Sequence, residues 1–239
     1  MAITSIVTDQ QVLDWVGLET PSQTQSESLS RLRLTAEKAV RRYVGATLTQ
    51  GTYTHYLPKH ERNATYILRT PEWPVRSITS IYLNHAGYFG QAPNAFPEST
   101  LLTAGVHYCL TIDRGGMSMF GHIMRIGSQR IDNKTLWPMI PGSVKVTYVA
   151  GFTSAELSGD TTVDDLNPAE IATAVLITVG ARWNMLKNKQ SALKPGDVQS
   201  ESLEGWSQTL AVQPTDKDMA AMLPDDAKDL LQPYVRRSI

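Results

Sequence analysis

The feature that most constrains this fold is one helix that is apolar almost all the way round. Asn167 stands at a helix cap, Pro168 suits the first turn, and Glu170 completes a capping pattern. The helix is predicted to span 168–187, and its apolar residues are Ile171, Ala172, Ala174, Val175, Leu176, Ile177, Val179, Ala181, Trp183, Met185 and Leu186. Such a helix must be buried on nearly every side. It therefore requires a helical bundle, and we expect a neighbouring subunit to cover part of it, at Ile177 and Trp183.

Two further helices are expected near the N-terminus. Thr8 and Gln11 have the spacing of a capping box, and Gly17 suits the end of the first helix. The polar stretch 19–28 is predicted to be a loop. A second helix is predicted over 28–45, with apolar residues on one side at helical spacing. Residues 1–51 therefore form the first part of a helical domain, which the loop and long helix of 154–190 complete.

Between residues 52 and 153 the pattern changes to short β-branched and aromatic runs separated by glycine and proline. Six strands are predicted, at 52–57, 65–68, 75–83, 106–112, 122–126 and 144–149. Short strands of this kind favour antiparallel connections and a β-sandwich or barrel-like subdomain. The predicted class is α+β, a small helical bundle with this β-rich subdomain inserted.

The last segment, 191–239, is predicted to be an extended arm. Pro195 and Gly196 break the long helix, and 198–211 alternates like an exposed strand. A short helix is predicted within 223–237, too short to be stable alone in water. Its apolar residues Leu230, Leu231 and Tyr234 therefore need a surface to bind, either on this subunit or on another.

Composition and motifs favour a non-catalytic protein. The net charge of −1 argues against a protein that coats nucleic acid or an anionic membrane, and the single Cys109 suits a reducing cytoplasm. No signal peptide is expected, and the apolar run 171–181 is about half as long as a membrane span. His107 and Cys109 face one side of a strand, but two ligands do not make a metal site. We expect no enzyme activity, cofactor or metal.

One charge pattern leaves two interpretations open. Between Arg31 and Arg76 the chain has nine basic and three acidic residues. Arg31, Lys38 and Arg42 project from the second helix opposite its apolar side. They form either a solvated face or a contact with DNA or an acidic partner.

The order of the segments resembles the head–tail connector (adaptor, or head-completion) proteins of tailed bacteriophages. The residues that carry the resemblance are LRLTAEKAVRRYVGATLTQGTYTHYL (32–57), LRTPEWPVRSITSIYL (68–83), VKVTYVAGFT (144–153), NPAEIATAVLITVGARWNMLKN (167–188), VQSESLEGWSQTLA (198–211) and LPDDAKDLLQPYVR (223–236). Each piece is weak alone, and their ordered combination carries the resemblance.

The resemblance implies a homo-oligomeric ring, usually of twelve subunits, below the portal at the head–tail junction of the virion. Such a ring continues the DNA channel, takes part in packaging and ejection without reading sequence, and offers the tail or nozzle its attachment surface. Assembly would take place in the host bacterial cytoplasm. The alternative is a DNA-binding packaging accessory protein that uses the basic face of helix 28–45.

The resemblance also assigns roles to the C-terminal arm. The implied portal-binding residues are Leu223, Leu230, Leu231, Tyr234, Arg236 and Arg237. The strand-like segment is implied to bridge subunits, at Leu203, Trp206 and Leu210. Long loops at 84–104 and 153–166 depart from the shorter family members, and such loops often carry specific contacts.

Overall fold

The computed structural model describes residues 5–58, 65–84, 96–126, 136–138, 140–161, 163, 166–192 and 223–235. Within them the fold is mixed α+β, as predicted. The helices are α1 (Asp9–Val16), α2 (Gln23–Val44), α3 (Ser154–Ser158), α4 (Ala169–Ala192) and α5 (Asp225–Leu231). The strands are β1 (Gly51–Leu57), β2 (Ile67–Arg69), β3 (Val75–Leu83), β4 (Tyr108–Leu110), β5 (His122–Arg125) and β6 (Val144–Ala150). Short 3-10 helices occupy Glu98–Thr100 and Gln232–Tyr234.

The chain divides into two compact units. The β unit comprises the described residues of Ala46–Asn167, and the helical unit those of Ser5–Gly45 and Pro168–Ile239. The divisions expected at residues 51, 153 and 190 therefore fall elsewhere. Residues 46–51 and 154–167 lie with the β-strands, and α5 lies with the other helices.

Capping determines where the N-terminal helices begin and end. The expected box at Thr8 and Gln11 forms, and Gly17 ends α1 in the left-handed region. The loop predicted over 19–28 is wrong in its second half, because Ser22 and Gln25 form a capping box of their own. The second helix therefore begins at Gln23, about one and a half turns before the predicted start.

The β unit contains two three-stranded antiparallel sheets, ordered β1-β6-β3 and β2-β5-β4. The prediction for β3 matches its observed bounds, whereas the strand expected over 106–112 is confined to Tyr108–Leu110. It begins late because Val106 and His107 lie in a turn that hydrogen-bonds to Thr103. Likewise, the run predicted at 65–68 becomes a strand over Ile67–Arg69.

Both sheets contribute to one core. Trp137 is fully buried, and its indole Nε1 donates to the carbonyl of Ile123 at 3.0 Å. Arg125 lies over the same indole, 5.2 Å from the ring centroid. The residues of this core are Leu57, Leu68, Val75, Ile81, Tyr108, Ile123, Trp137, Val144, Val146, Tyr148 and Ala150. Two sheets with a common interior agree with the expected sandwich-like arrangement.

A short helix follows β6 where a long polar loop was expected over 154–166. Thr153 and Glu156 form a capping box that starts α3. Glu156 also pairs with Arg76 of β3, whose guanidinium Nε donates to the carbonyl of Gly151 at 2.8 Å. This network attaches α3 to the edge of the first sheet, and it explains why the segment is helical rather than a solvated loop.

Helix α4 begins as predicted and continues past Lys187 to Ala192. Its core face includes Ile171, Val175 and Val179, which are fully buried. The expectation of burial on nearly every side is not met within the subunit, because Ala181 and Met185 are exposed. Helix α4 packs against α1, α2 and α5 and leaves one side open.

Candidate functional site

The open side of α4 carries a stripe of apolar residues. Ile177, Ala181 and Met185 follow one another at four-residue spacing, so their side chains lie in a row. Ile177 is half-buried and Met185 is 61% exposed. Trp15 of α1 is 48% exposed and lies beside this row. Its indole Nε1 would be 3.0 Å from a Cβ added to Gly180, the residue that precedes Ala181 in α4. We name Trp15, Ile177, Ala181 and Met185 the α4 stripe.

Trp183, expected at a contact with a neighbouring subunit, is buried in its own helical unit at 7% exposure. Its indole Nε1 lacks a hydrogen-bond partner among the described residues, and the Lys187 ammonium lies 5.5 Å from the ring centroid. Trp183 is therefore a core residue, which corrects the expectation that it awaits a neighbour. The sequence reasoning missed Trp15 and Met185 as surface residues, although Met185 stands eight residues after Ile177 on the same helical row.

The basic face predicted on the second helix is present. Arg31, Lys38 and Arg42 are exposed along α2. Their row also contains Leu34, which is 56% exposed, and Glu27. A leucine among arginine and lysine is typical of a protein-binding surface, whereas a site for DNA phosphates needs mainly cations.

Other basic residues of the same region are neutralised within the helical unit. Arg33 pairs with Asp9 at 2.7 Å and with Glu37 at 3.1 Å, and Arg41 reaches Glu37 at 3.6 Å. Glu37 is buried, and it also accepts hydrogen bonds from the backbone N–H groups of residues 6 and 7. Part of the basic excess along the sequence is therefore neutralised inside the helical unit and does not add to the row of Arg31, Lys38 and Arg42.

Helix α5 packs its apolar side onto its own helical unit. Leu223, Leu231 and Tyr234 are buried, and Leu230 is half-buried. The Tyr234 hydroxyl donates to Glu170 of α4 at 3.4 Å. In the single chain these side chains therefore pack on this subunit, which is one of the two alternatives that the sequence leaves open. The assignment of Leu223, Leu230, Leu231 and Tyr234 to portal binding stays a prediction.

The outer side of α5 is acidic. Asp225, Asp226 and Asp229 are exposed. Lys228 pairs with Asp225 at 2.8 Å. That hydrogen bond, followed by the charge of Lys228, lowers the pKa of the Asp225 carboxyl. By formal charge the outward face has three carboxyl groups and one ammonium group, which leaves an excess of negative charge.

Several predicted contact residues lie outside the described part of the chain. They are Leu203, Trp206 and Leu210 of the strand-like segment, and Arg236 and Arg237 at the end of the arm. Their assigned roles stay predictions.

The β unit presents a second exposed apolar row, on the outer face of its β2-β5-β4 sheet. Ile67 pairs with Met124, and Met124 pairs with Cys109 on the other side. Ile67 and Met124 are 37% and 41% exposed, whereas Leu68 and Ile123 point into the core. This alternation follows the period of two that a half-buried sheet requires.

His107 and His55 of the β unit have structural partners. His107 Nδ1 accepts the backbone N–H of Thr103 at 2.8 Å, and His55 lies 3.1 Å from the buried Tyr148 hydroxyl. Over the described ranges, no group of three or more His, Cys, Asp or Glu side chains is placed to hold a metal. Among the helices that the structure describes, none is long and apolar enough to cross a membrane.

The fold of the whole chain is similar to chains of gene transfer agent (GTA) particles. One solved chain, from the neck of an empty GTA particle computed with C6 symmetry, matches with a TM-score of 0.54 and 17% identity, covering 100% of this chain and 96% of that chain. Another, from the virion of a native GTA particle, matches with a TM-score of 0.51 and 16% identity, covering 98% and 91%. At these identities the likeness concerns the fold. No family model and no curated protein sequence matches the chain significantly.

Proposed function

We propose that this chain is a structural neck subunit of a phage-like particle, a head–tail connector that forms a ring beneath the portal. The observation that carries the proposal is the similarity of fold along the full chain to a chain of a GTA neck. The order of sequence segments that resembles phage connectors supports the same function independently. The role is structural, with no catalytic step assigned to any residue.

The α4 stripe supports assembly into a ring. An exposed apolar row on an otherwise well-packed helical unit is typical of a surface that a partner covers. In the proposed ring the partner is a neighbouring copy of the chain. Each copy then completes the burial that the sequence of α4 requires.

The proposed ring surrounds the channel through which double-stranded DNA passes between head and tail. The net charge of −1 agrees with passage without tight binding, because strong DNA affinity comes from many cationic contacts to phosphate. The portal lies on one side of the ring and the tail or nozzle on the other. The proposed location of the protein is the head–tail junction of the virion, after assembly in the host cytoplasm.

Complementation of particles that lack the gene tests this function. Without the protein we expect DNA-filled heads and separate tails, and a plasmid copy of the wild-type gene should restore joined particles. A Met185→Lys copy should restore at least tenfold fewer joined particles, because a buried ammonium in the subunit contact is unfavourable. Electron microscopy counts the joined particles and locates the protein at the neck.

The control is Val106→Lys, which introduces the same charge at an exposed apolar residue in a turn of the β unit. It should restore joined particles nearly as well as the wild type. Normal tailed particles in the absence of the gene would contradict the proposed function. Equal loss with both lysine variants would show that the α4 stripe is not a specific subunit contact.

A further inference from the structure

Two charged faces of the helical unit have complementary composition. Along α2, Arg31 and Lys38 lie two turns apart, about 10 Å along the axis, with Leu34 between them. On α5, Asp225 and Asp229 lie one turn apart, with Asp226 beside them. One face therefore has an excess of positive charge around an exposed leucine, and the other has an excess of negative charge.

Both faces are open to solvent on the single chain. Arg31, Leu34 and Lys38 are exposed along α2, and Asp225, Asp226 and Asp229 are exposed along α5. The apolar side of α5 packs on its own helical unit, so its acidic side is the one that it offers to another molecule.

Because Leu231 and Tyr234 hold α5 to its own helical unit, its three carboxyl groups are left exposed to solvent. The geometry points to a head-to-tail contact between copies of this chain, in which the α2 face of one copy (Arg31, Leu34, Lys38) receives the acidic α5 face of the next (Asp225, Asp226, Asp229). This inference rests on the proposed function, because it names the polar part of the contact that would build the ring.

The physical chemistry of the two faces fits this occupant. A contact between two different faces of identical subunits repeats around an axis, and it closes into a ring when the rotation allows. Opposite charges align the two copies and speed their encounter, and the side chain of Leu34 supplies apolar area at the centre. Exposed ion pairs are screened by salt, so this contact weakens as the salt concentration rises.

Charge reversal on purified full-length chains tests the contact. One variant carries Arg31→Glu with Lys38→Glu, and the other carries Asp226→Lys with Asp229→Lys, while Asp225 keeps its pairing with Lys228. Sedimentation velocity over a range of concentrations measures self-association. We expect the wild type to associate, and each variant alone to associate at least tenfold more weakly.

An equimolar mixture of the two variants should recover association close to that of the wild type. In the mixture every contact again joins a basic face to an acidic face, and the copies alternate. Arg69→Glu with Lys145→Glu, on the β unit, is the charge-matched control for the first variant and should self-associate like the wild type. Asp229→Asn tests the acidic face without adding a positive charge near the start of α5, and it should weaken association by a smaller factor.

Three outcomes would overturn the inference. A wild-type chain that stays monomeric at every concentration would show that the faces do not bind each other. Reversed variants that associate like the wild type would assign the contact to other residues. Low-salt DNA binding by the wild type, lost with Arg31→Glu and Lys38→Glu, together with unchanged self-association, would assign the basic face to DNA. None of these results depends on whether loss of the gene leaves heads and tails unjoined.

Discussion

At the scale of single residues, Gly151 is a position where neighbouring backbone leaves no room for a side chain. Its φ is +93°, and a Cβ there would lie 2.3 Å from the carbonyl oxygen of Thr49. Its N–H donates to the carbonyl of Pro74, and its own carbonyl accepts from Arg76. One glycine after β6 therefore brings together three segments of the β unit, which no side chain at this position would allow.

We expect Gly151→Ala to lower the free energy of unfolding of the β unit by about 2 kcal/mol or more, because it combines an unfavourable φ with a clash against backbone. Gly116→Ala is the control, with a φ of +70° and nothing within 4 Å of the added Cβ. It should lower the free energy of unfolding only through its unfavourable φ, by about 1 kcal/mol. Urea unfolding measures both, and equal losses would contradict the steric argument.

Glu156 gives the β unit a predictable response to acid. Burial is the largest influence and raises the pKa of this carboxyl, but the hydrogen bonds and charge of Arg76, together with Thr153, outweigh it and lower the pKa below its usual value of 4.5. A depressed pKa in the folded state stabilises the protein above pH 4.5. That stabilisation is lost as the pH falls through the lower, folded-state value.

Glu156→Gln should therefore reduce the stability of the β unit at neutral pH and flatten its decline below about pH 4.5. Unfolding by urea at a series of pH values provides the measurement. Glu98→Gln, at an exposed carboxyl of the same unit, should leave the acid response close to that of the wild type. Parallel pH curves for the wild type and Glu156→Gln would contradict the role of the Arg76 pair.

At the scale of elements, local sequence signals predicted the helix ends and strands that depend on neighbouring residues. The caps at Thr8 and Gly17, and the strand Val75–Leu83, follow directly from residue type and spacing. Helix α2 begins earlier than the periodicity predicts, because the polar stretch before Ser28 has few apolar residues to show a helical period. The capping box of Ser22 and Gln25 was the signal that could have corrected it.

Docking of α5 depends on its buried apolar side, so Leu231→Ala should release this helix while α2 and α4 stay folded. A buried Leu→Ala change costs about 2 kcal/mol or more, and each 1.4 kcal/mol is a factor of about ten in an opening equilibrium. Amide hydrogen exchange in α5 should therefore become at least tenfold faster. Leu230→Ala, at the half-buried neighbour, is the matched control and should have a smaller effect.

At the scale of the whole molecule, the α+β class was predictable because the hydrophobic period changes twice along the chain. The surfaces against which the amphipathic segments pack were not predictable. A helix with the pattern of Leu231 and Tyr234 requires an apolar surface, but its sequence does not state whether that surface belongs to its own subunit or to another. The same ambiguity applies to Trp183, whose apolar ring fits a subunit contact in the sequence but completes the core of its own helical unit in the structure.

The separation of α5 from α4 along the chain has a consequence for any partner. Residues 193–222 connect the two helices covalently, so α5 meets its docking site as an intramolecular ligand. For linked binding modules in general, a covalent connection replaces the bulk concentration of a ligand with an effective concentration, which reaches the order of millimolar. A free competitor for the site of Leu231 and Tyr234 must exceed that concentration or bind more tightly. A partner that draws α5 away gains most when it is itself held nearby, as adjacent members of one assembly are.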